Sequence, residues 1–417
     1  MNKFLTLTAI GTVMLAAGNA QAAGFLLREQ SVAGMGNAFA GATAGAEDPS
    51  YSFYNPAGLT MHYGTKLSAN ATAIVGNVEG YDAVGPNGAY TSEMSHPVDK
   101  AVLPSVAVSH QINNRLSAGL SLNAPFGLIT DYSQNWAGAN HGTESKLNTY
   151  DLTPMLAYRA TCNLSFGAGL VVQYVSATLK NGALYHIHPA YYTNAKLKGD
   201  TTDIGYTIGA LYELTDNTRF GISYRSQINH KLKGDITFAK QTGALGLVNQ
   251  DISAKLTTPA LLSMGAYHDI NDKWSVMAEI QKTYWSSFDD LTIKGNKKAV
   301  ISQTNESWKD VWFYSIGASY RVNDQWKLRA GLAFDQTPVN DYTRTPRIPD
   351  SDRIWYSGGV EYKFDDSLTL NAGYTYIRAE HSKVNLQATG WDASRGALSA
   401  KYKGNIHLFG LSANYNF

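Results

Sequence analysis

The residues with reactive side chains do not assemble into a reaction centre. His186 and His188 stand two apart and would share one strand face, but no third ligand is near them. Cys162 is the only cysteine, which excludes an internal disulfide and a cysteine-based metal cluster. Serines and histidines are scattered and no Gly-x-Ser-x-Gly elbow is present, so a hydrolase would lack its triad. What remains is binding chemistry, with no metal and no cofactor. Arg225, Lys255 and Arg329 fall by alternation on the side opposite Tyr224, Leu256 and Leu328, where a base could hold a carboxylate. Asp203, Glu279 and Glu361 fall on that same inner side, so an ion pair within the fold is the first expectation for each base.

Strands must position these side chains. Six times, a run of alternating apolar residues stops at a short polar turn and a second run starts at once. The turns are Ile112-Asn113-Asn114-Arg115, Thr161-Cys162-Asn163, Leu214-Thr215-Asp216-Asn217, Ile270-Asn271-Asp272-Lys273, Val322-Asn323-Asp324-Gln325 and Phe364-Asp365-Asp366-Ser367. Asn and Asp tolerate the left-handed backbone of tight hairpins, so each turn is expected to join two antiparallel strands. Short turns at one end and long loops at the other are the layout of a transmembrane β-barrel. Six turns imply twelve strands; one more near Lys66 to Val75 and a last one near Gly404 to Phe417 make fourteen. In that last run Phe409, Leu411, Ala413, Tyr415 and Phe417 share one face, opposite Gly410, Ser412, Asn414 and Asn416. Lipid outside and a polar lumen inside produce this alternation.

The composition agrees. A formal net charge of +1 points to no nucleic-acid partner, and no run in the body is apolar enough for a transmembrane helix. Residues 1–22 read as a secretory signal, with Lys3, an apolar core from Phe4 to Ala17, and Ala20-Gln21-Ala22 as the cleavage site. Residues 23–63 do not alternate. They are rich in Gly and Ala yet carry Phe25, Leu26, Leu27, Phe39, Tyr51, Phe53 and Tyr54, too apolar for a disordered tail. A barrel of about eight strands fills its own interior, whereas one of about 16 is open. Fourteen strands leave space for residues 23–63 as a plug, with residues 64–417 as the barrel.

Two loops carry apolar residues where loops are usually polar: Leu184, Tyr185, Ile187, Pro189, Tyr191 and Tyr192 in one, and Leu245, Leu247 and Val248 in the other. They are candidates for capture of an apolar molecule. Phe25, Leu26 and Leu27 are candidates for an interior pocket. Pro125 lies in the third strand between Asn123 and Gly127, beside Phe126. Proline cannot donate to a strand ladder, so it could open the wall there; Pro104 on the second strand is a weaker case.

Ala23-Gly24-Phe25, Gly34-Met35-Gly36-Asn37-Ala38-Phe39-Ala40-Gly41, Asn55-Pro56-Ala57-Gly58-Leu59, Pro125-Phe126-Gly127-Leu128, Thr258-Pro259-Ala260 and the closing Phe417 together resemble the FadL/TodX family of outer-membrane hydrocarbon transporters. The resemblance covers essentially the whole mature chain. It implies passive uptake of long-chain fatty acids or aromatic hydrocarbons by a monomer in the bacterial outer membrane, among lipid and lipopolysaccharide. It also implies a hatch containing Asn55, Pro56, Ala57 and Gly58, and a kink in strand three close to that segment through which substrate leaves sideways. A general porin, a surface adhesin or phage receptor, and last an enzyme are the rival readings.

Overall fold

The computed structural model describes residues 24–94, 100–183, 193–241 and 247–417. The leader and the His186–His188 pair lie outside the described residues, as do Leu184, Tyr185, Pro189, Tyr191 and Leu245.

Fourteen strands close into one antiparallel barrel. The first five are β1 (Thr65–Val84), β2 (Ala101–Gln111), β3 (Leu116–Asn123, resuming at Gly127–Asp131), β4 (Glu144–Arg159) and β5 (Leu164–Ala183). Next come β6 (Thr193–Thr215), β7 (Thr218–Arg225 and Ile228–Phe238), β8 (Gln250–Thr258 and Leu261–Asp269) and β9 (Trp274–Thr283 and Asp290–Lys294). The last are β10 (Val300–Asn305 and Val311–Arg321), β11 (Trp326–Asp335), β12 (Arg353–Lys363), β13 (Leu368–Ala379) and β14 (Leu398–Asn416). β14 pairs with β1 from Lys66↔Asn416 to Val84↔Ser399, which removes both sheet edges. Two short strands, Tyr90–Met94 and Ser382–Leu386, extend β1 and β14 at the loop end.

The six turns sit where the short polar runs place them, but their chemistry differs from expectation. No Asn or Asp in them has a positive φ. Instead each leading side chain acts as an acceptor. Asn113 Oδ1 takes the N–H groups of Arg115 and Leu116 at 2.9 and 3.0 Å, and Asn271, Asn323 and Asp365 repeat the pattern. The side chain imitates a backbone carbonyl, so the turn closes without left-handed residues.

Outward faces carry Leu411, Ile316 and Ile208, between two aromatic belts. Trp274–Tyr320 and Trp326–Tyr362, each with ring centroids 4.6 Å apart, mark the turn end. Tyr206–Tyr224 and Trp312–Tyr314 mark the other. Aromatic rings favour the bilayer interfaces, so the belts bound the lipid-facing band. Beyond the loop-side belt the polarity inverts: Leu232, Leu256, Ile406 and Leu408 point inward and are buried, while Lys231, Lys255, Lys401 and Lys403 point outward. There the wall no longer meets hydrocarbon, so its apolar residues turn to the interior.

Residues 24–62 are almost wholly buried inside this wall. The segment is folded locally by caps. Ser31 caps α1 (Val32–Gly36), accepting Gly34 N–H at 3.1 Å, and Asp48-Pro49 and Asn55-Pro56 each open a 3₁₀ turn, Pro49–Phe53 and Pro56–Met61. α2 (Ala42–Gly45) lies between α1 and the first of these turns. The segment fits because the wall it touches is made of glycine. A Cβ built on Gly331 would stand 2.2 Å from Asn37 O, on Gly221 2.0 Å from Thr43 O, and on Gly209 2.1 Å from Asn55 Oδ1. Gly167, Gly317, Gly359, Gly373 and Gly410 continue this inward belt around the barrel.

Candidate functional site

The third strand departs from the wall at its proline. β3 pairs with β2 only from Gln111↔Ser117 to Val106↔Leu122, and after the kink Gly127–Asp131 pairs with β4 alone. Among the described residues, 101–105 of β2 therefore have no strand partner on the β3 side, and Pro104 falls in that stretch. The hatch fills the vacancy. Leu27 N donates to Pro125 O at 2.7 Å, Gly127 N donates to Phe25 O at 2.9 Å, and Leu26 bridges Phe126. Gln30 brackets the kink, donating to Ala124 O at 3.0 Å and accepting from Ala124 N and Asn123 Nδ2; its carbonyl accepts Ser105 Oγ at 2.6 Å. Pro125 has no N–H to leave unpaired, which is why a proline is tolerated at this position.

Residues 25–30, rather than the Asn-Pro-Ala segment, thus meet the kink. Asn55 lies elsewhere, its Nδ2 bonded to Thr43 O and Ala210 O at 2.8 and 3.0 Å, and Pro56, Ala57 and Gly58 follow in a turn seated on Gly167 of β5. That segment anchors the plug to the wall.

Above the kink lies an apolar cavity of about 100 Å³. Phe25 forms its floor, packed on Trp285, Phe288 and Trp308 with ring centroids 4.6, 5.5 and 5.6 Å away. Leu128, Leu147, Leu232 and Leu256 form the walls. Leu179, Leu197, Leu291, Ile293 and Arg347 belong equally to a groove of about 390 Å³ nearer the loops, so the two spaces adjoin. The groove also includes Trp391, His141 and Leu247; Leu247 is buried there, whereas Val248 is exposed.

The bases expected in the pocket are not in it. Arg225 is buried in an ion pair with Asp151 and lies 4.9 Å over the Phe53 ring. Arg329 pairs at 2.5 Å with both Glu47 of the hatch and Glu361 of β12, so it ties plug to wall. Lys255, expected on the inner face, is exposed and points outward, while its neighbour Leu256 faces the cavity. The alternation changes phase at Pro259-Ala260, where β8 is interrupted, and again at Ser226-Gln227 in β7. Extrapolating a period of two across such a break assigns the wrong face. Glu279 accepts from Thr43 of the hatch, and Asp203 from His230 at 3.0 Å.

The cation at the cavity is Arg347, from the loop between β11 and β12. It is held by Glu144 O, Ser145 Oγ and Lys180 O at 2.9, 2.9 and 3.3 Å, and has no ion pair within 4.0 Å among the described residues. Burial lowers it to about 10, so it keeps its charge at neutral pH. The cavity's acid, Glu306, is pushed by burial up to about 7 and takes a hydrogen bond from Trp308 Nε1 at 3.2 Å. It therefore neutralises Arg347 only in part. Sequence reading missed Arg347, Trp285 and Trp308; the one signal was Ile348 beside Arg347 in a proline-flanked loop, Pro346 to Pro349.

A plugged fourteen-stranded barrel with this arrangement has relatives. The family model described as outer membrane protein transport protein (OMPP1/FadL/TodX) matches residues 13–417. The chain belongs to this family. It is therefore an outer-membrane barrel of a transport-protein family, in line with the resemblance read from its motifs. A long-chain fatty acid transport protein of Escherichia coli is 29% identical over 439 residues, with 97% of each chain covered. Outer membrane protein P1 of Haemophilus influenzae is 27% identical over 471 residues and is covered in full, as is this chain. The crystal structure of a Pseudomonas aeruginosa FadL homologue superposes with a TM-score of 0.87 at 29% identity, covering 95% of this chain and 100% of that one. The Pseudomonas putida toluene transporter TodX shares the fold, with a TM-score of 0.66 at 21% identity over 88% of this chain and 94% of that one.

Proposed function

We propose that this FadL-family member carries long-chain fatty acids, or acids of similar shape, passively across the outer membrane. The single observation that carries the reading is Arg347, a half-buried cation at the edge of a largely apolar cavity, with no carboxylate within 4.0 Å of it among the described residues and only Glu306 of the same cavity to offset its charge. An acyl chain suits the leucine and aromatic walls, and a carboxylate suits the guanidinium. An aromatic hydrocarbon would use the walls and leave the charge idle. The E. coli relative is named for long-chain fatty acids, which agrees with this choice.

In this reading the molecule is caught in the groove of the outer loops, drops into the cavity above Phe25, and displaces residues 25–27 from the kink. It then leaves sideways into lipid between β2 and β3. The barrel closes within one chain, so a monomer suffices. Uptake of labelled oleate by cells with and without the gene tests the substrate. Faster uptake of oleate, with toluene entry unchanged, is the expected outcome; equal oleate rates would sink the fatty-acid reading.

The side exit has its own test. Pro125→Val supplies a ladder donor and should let β3 follow β2 toward residues 101–105, slowing oleate uptake severalfold while oleate binding to purified protein persists. Unchanged uptake would misplace the exit.

A further inference from the structure

We infer that the outward face of β7 and β8 beyond the loop-side aromatic belt binds the phosphate groups of lipopolysaccharide in the outer leaflet. Lys231 and Lys255 are direct cross-strand partners, both exposed, on the face opposite the buried His230 and Leu256. Like charges placed opposite each other in a sheet destabilise it unless an anion lies between them. Nearby acids stand opposite other residues in the register: Asp200 opposite Lys233, and Asp235 opposite Lys198 and Asp251. No carboxylate is registered opposite Lys231 or Lys255. On β14, by contrast, the outward lysines are neutralised within the protein, Lys401 by Asp82 at 2.9 Å and Lys403 by Glu79 at 3.1 Å.

Height selects the partner. Lys231 follows Tyr224 of the aromatic belt by seven residues, roughly 20 Å along a strand rising about 3.3 Å per residue. A side chain at that level, facing away from the barrel, stands above the hydrocarbon and among the sugars of the outer leaflet. The anions there belong to lipopolysaccharide, and its phosphates carry the densest charge. Two ammonium groups a few Å apart can share one phosphate, which turns their repulsion into attraction.

The test uses full-length protein purified in mild detergent, with rough-type lipopolysaccharide as the probe. Lys231→Gln/Lys255→Gln should weaken binding at least tenfold, and dephosphorylated lipopolysaccharide should bind the parent protein as weakly as it binds this variant. Lys401→Gln/Lys403→Gln should bind like the parent. Equal affinity of parent and double variant would overturn the site, as would undiminished binding of the dephosphorylated glycolipid. Binding of inorganic phosphate as strong as that of lipopolysaccharide would also overturn it, by showing an adventitious anion site. Oleate uptake should be unaffected by the double substitution, so this site and the transport reading fail or survive separately.

Discussion

Replacing Arg347 with alanine is expected to weaken oleate binding roughly tenfold to a hundredfold while leaving toluene binding unchanged. A hydrogen bond to a charged group is worth about 1.5 to 3 kcal/mol, and about 1.4 kcal/mol is a factor of ten in affinity. The guanidinium is already held by Glu144 O, Ser145 Oγ and Lys180 O, so little side-chain freedom remains to be lost when a carboxylate arrives. Methyl oleate, which has the chain without the charge, should bind parent and variant alike. Arg347→Lys should retain part of the affinity, because the charge survives but the fork does not. Titration of purified protein with the three ligands decides the matter. If the alanine variant loses methyl oleate as strongly as oleate, the loop has collapsed and Arg347 is not the anchor.

The second large effect concerns the plug. Gly331→Val and Gly221→Val together should expel the hatch and turn a closed barrel into a conducting one. The atoms that a new Cβ would meet, Asn37 O at 2.2 Å and Thr43 O at 2.0 Å, are backbone and cannot rotate away. Overpacking costs about 1–3 kcal/mol per site even where side chains can yield. The wall gains nothing unfavourable on its own, since both positions would simply face an empty lumen. Planar-bilayer conductance should rise from near silence to steady openings, with heat-modifiable gel mobility confirming a folded barrel. Gly358→Val is the control, because its Cβ would meet only Arg329 O at 3.9 Å. A silent double variant that still folds would show that the belt does not seat the plug.

The barrel was legible in the sequence because its signals are local. Asn113, Asn271, Asn323 and Asp365 close turns with atoms two and three residues away, and the alternation of Phe409 to Phe417 is a property of one strand. Phe25, Leu26 and Leu27 were recognisable as interior residues because an apolar run ahead of the first strand has no other place to go. The base at the pocket was not legible. Arg225 and Arg329 alternate inward correctly but meet Asp151 and Glu47, from strands and turns far along the chain. Lys255 fails for a different reason, since one interruption at Pro259 inverts every side chain beyond it.

By itself, then, the sequence determined compartment, strand number and the existence of a plug, all of which follow from period, turn chemistry and length. Tertiary structure alone decided what the plug leans on and where the charge sits. A glycine carries no side chain to announce that Thr43 or Asn37 will pack against it. A loop arginine such as Arg347 is placed at the cavity only when Phe25, Leu147 and Leu256, from three distant segments, converge beside it.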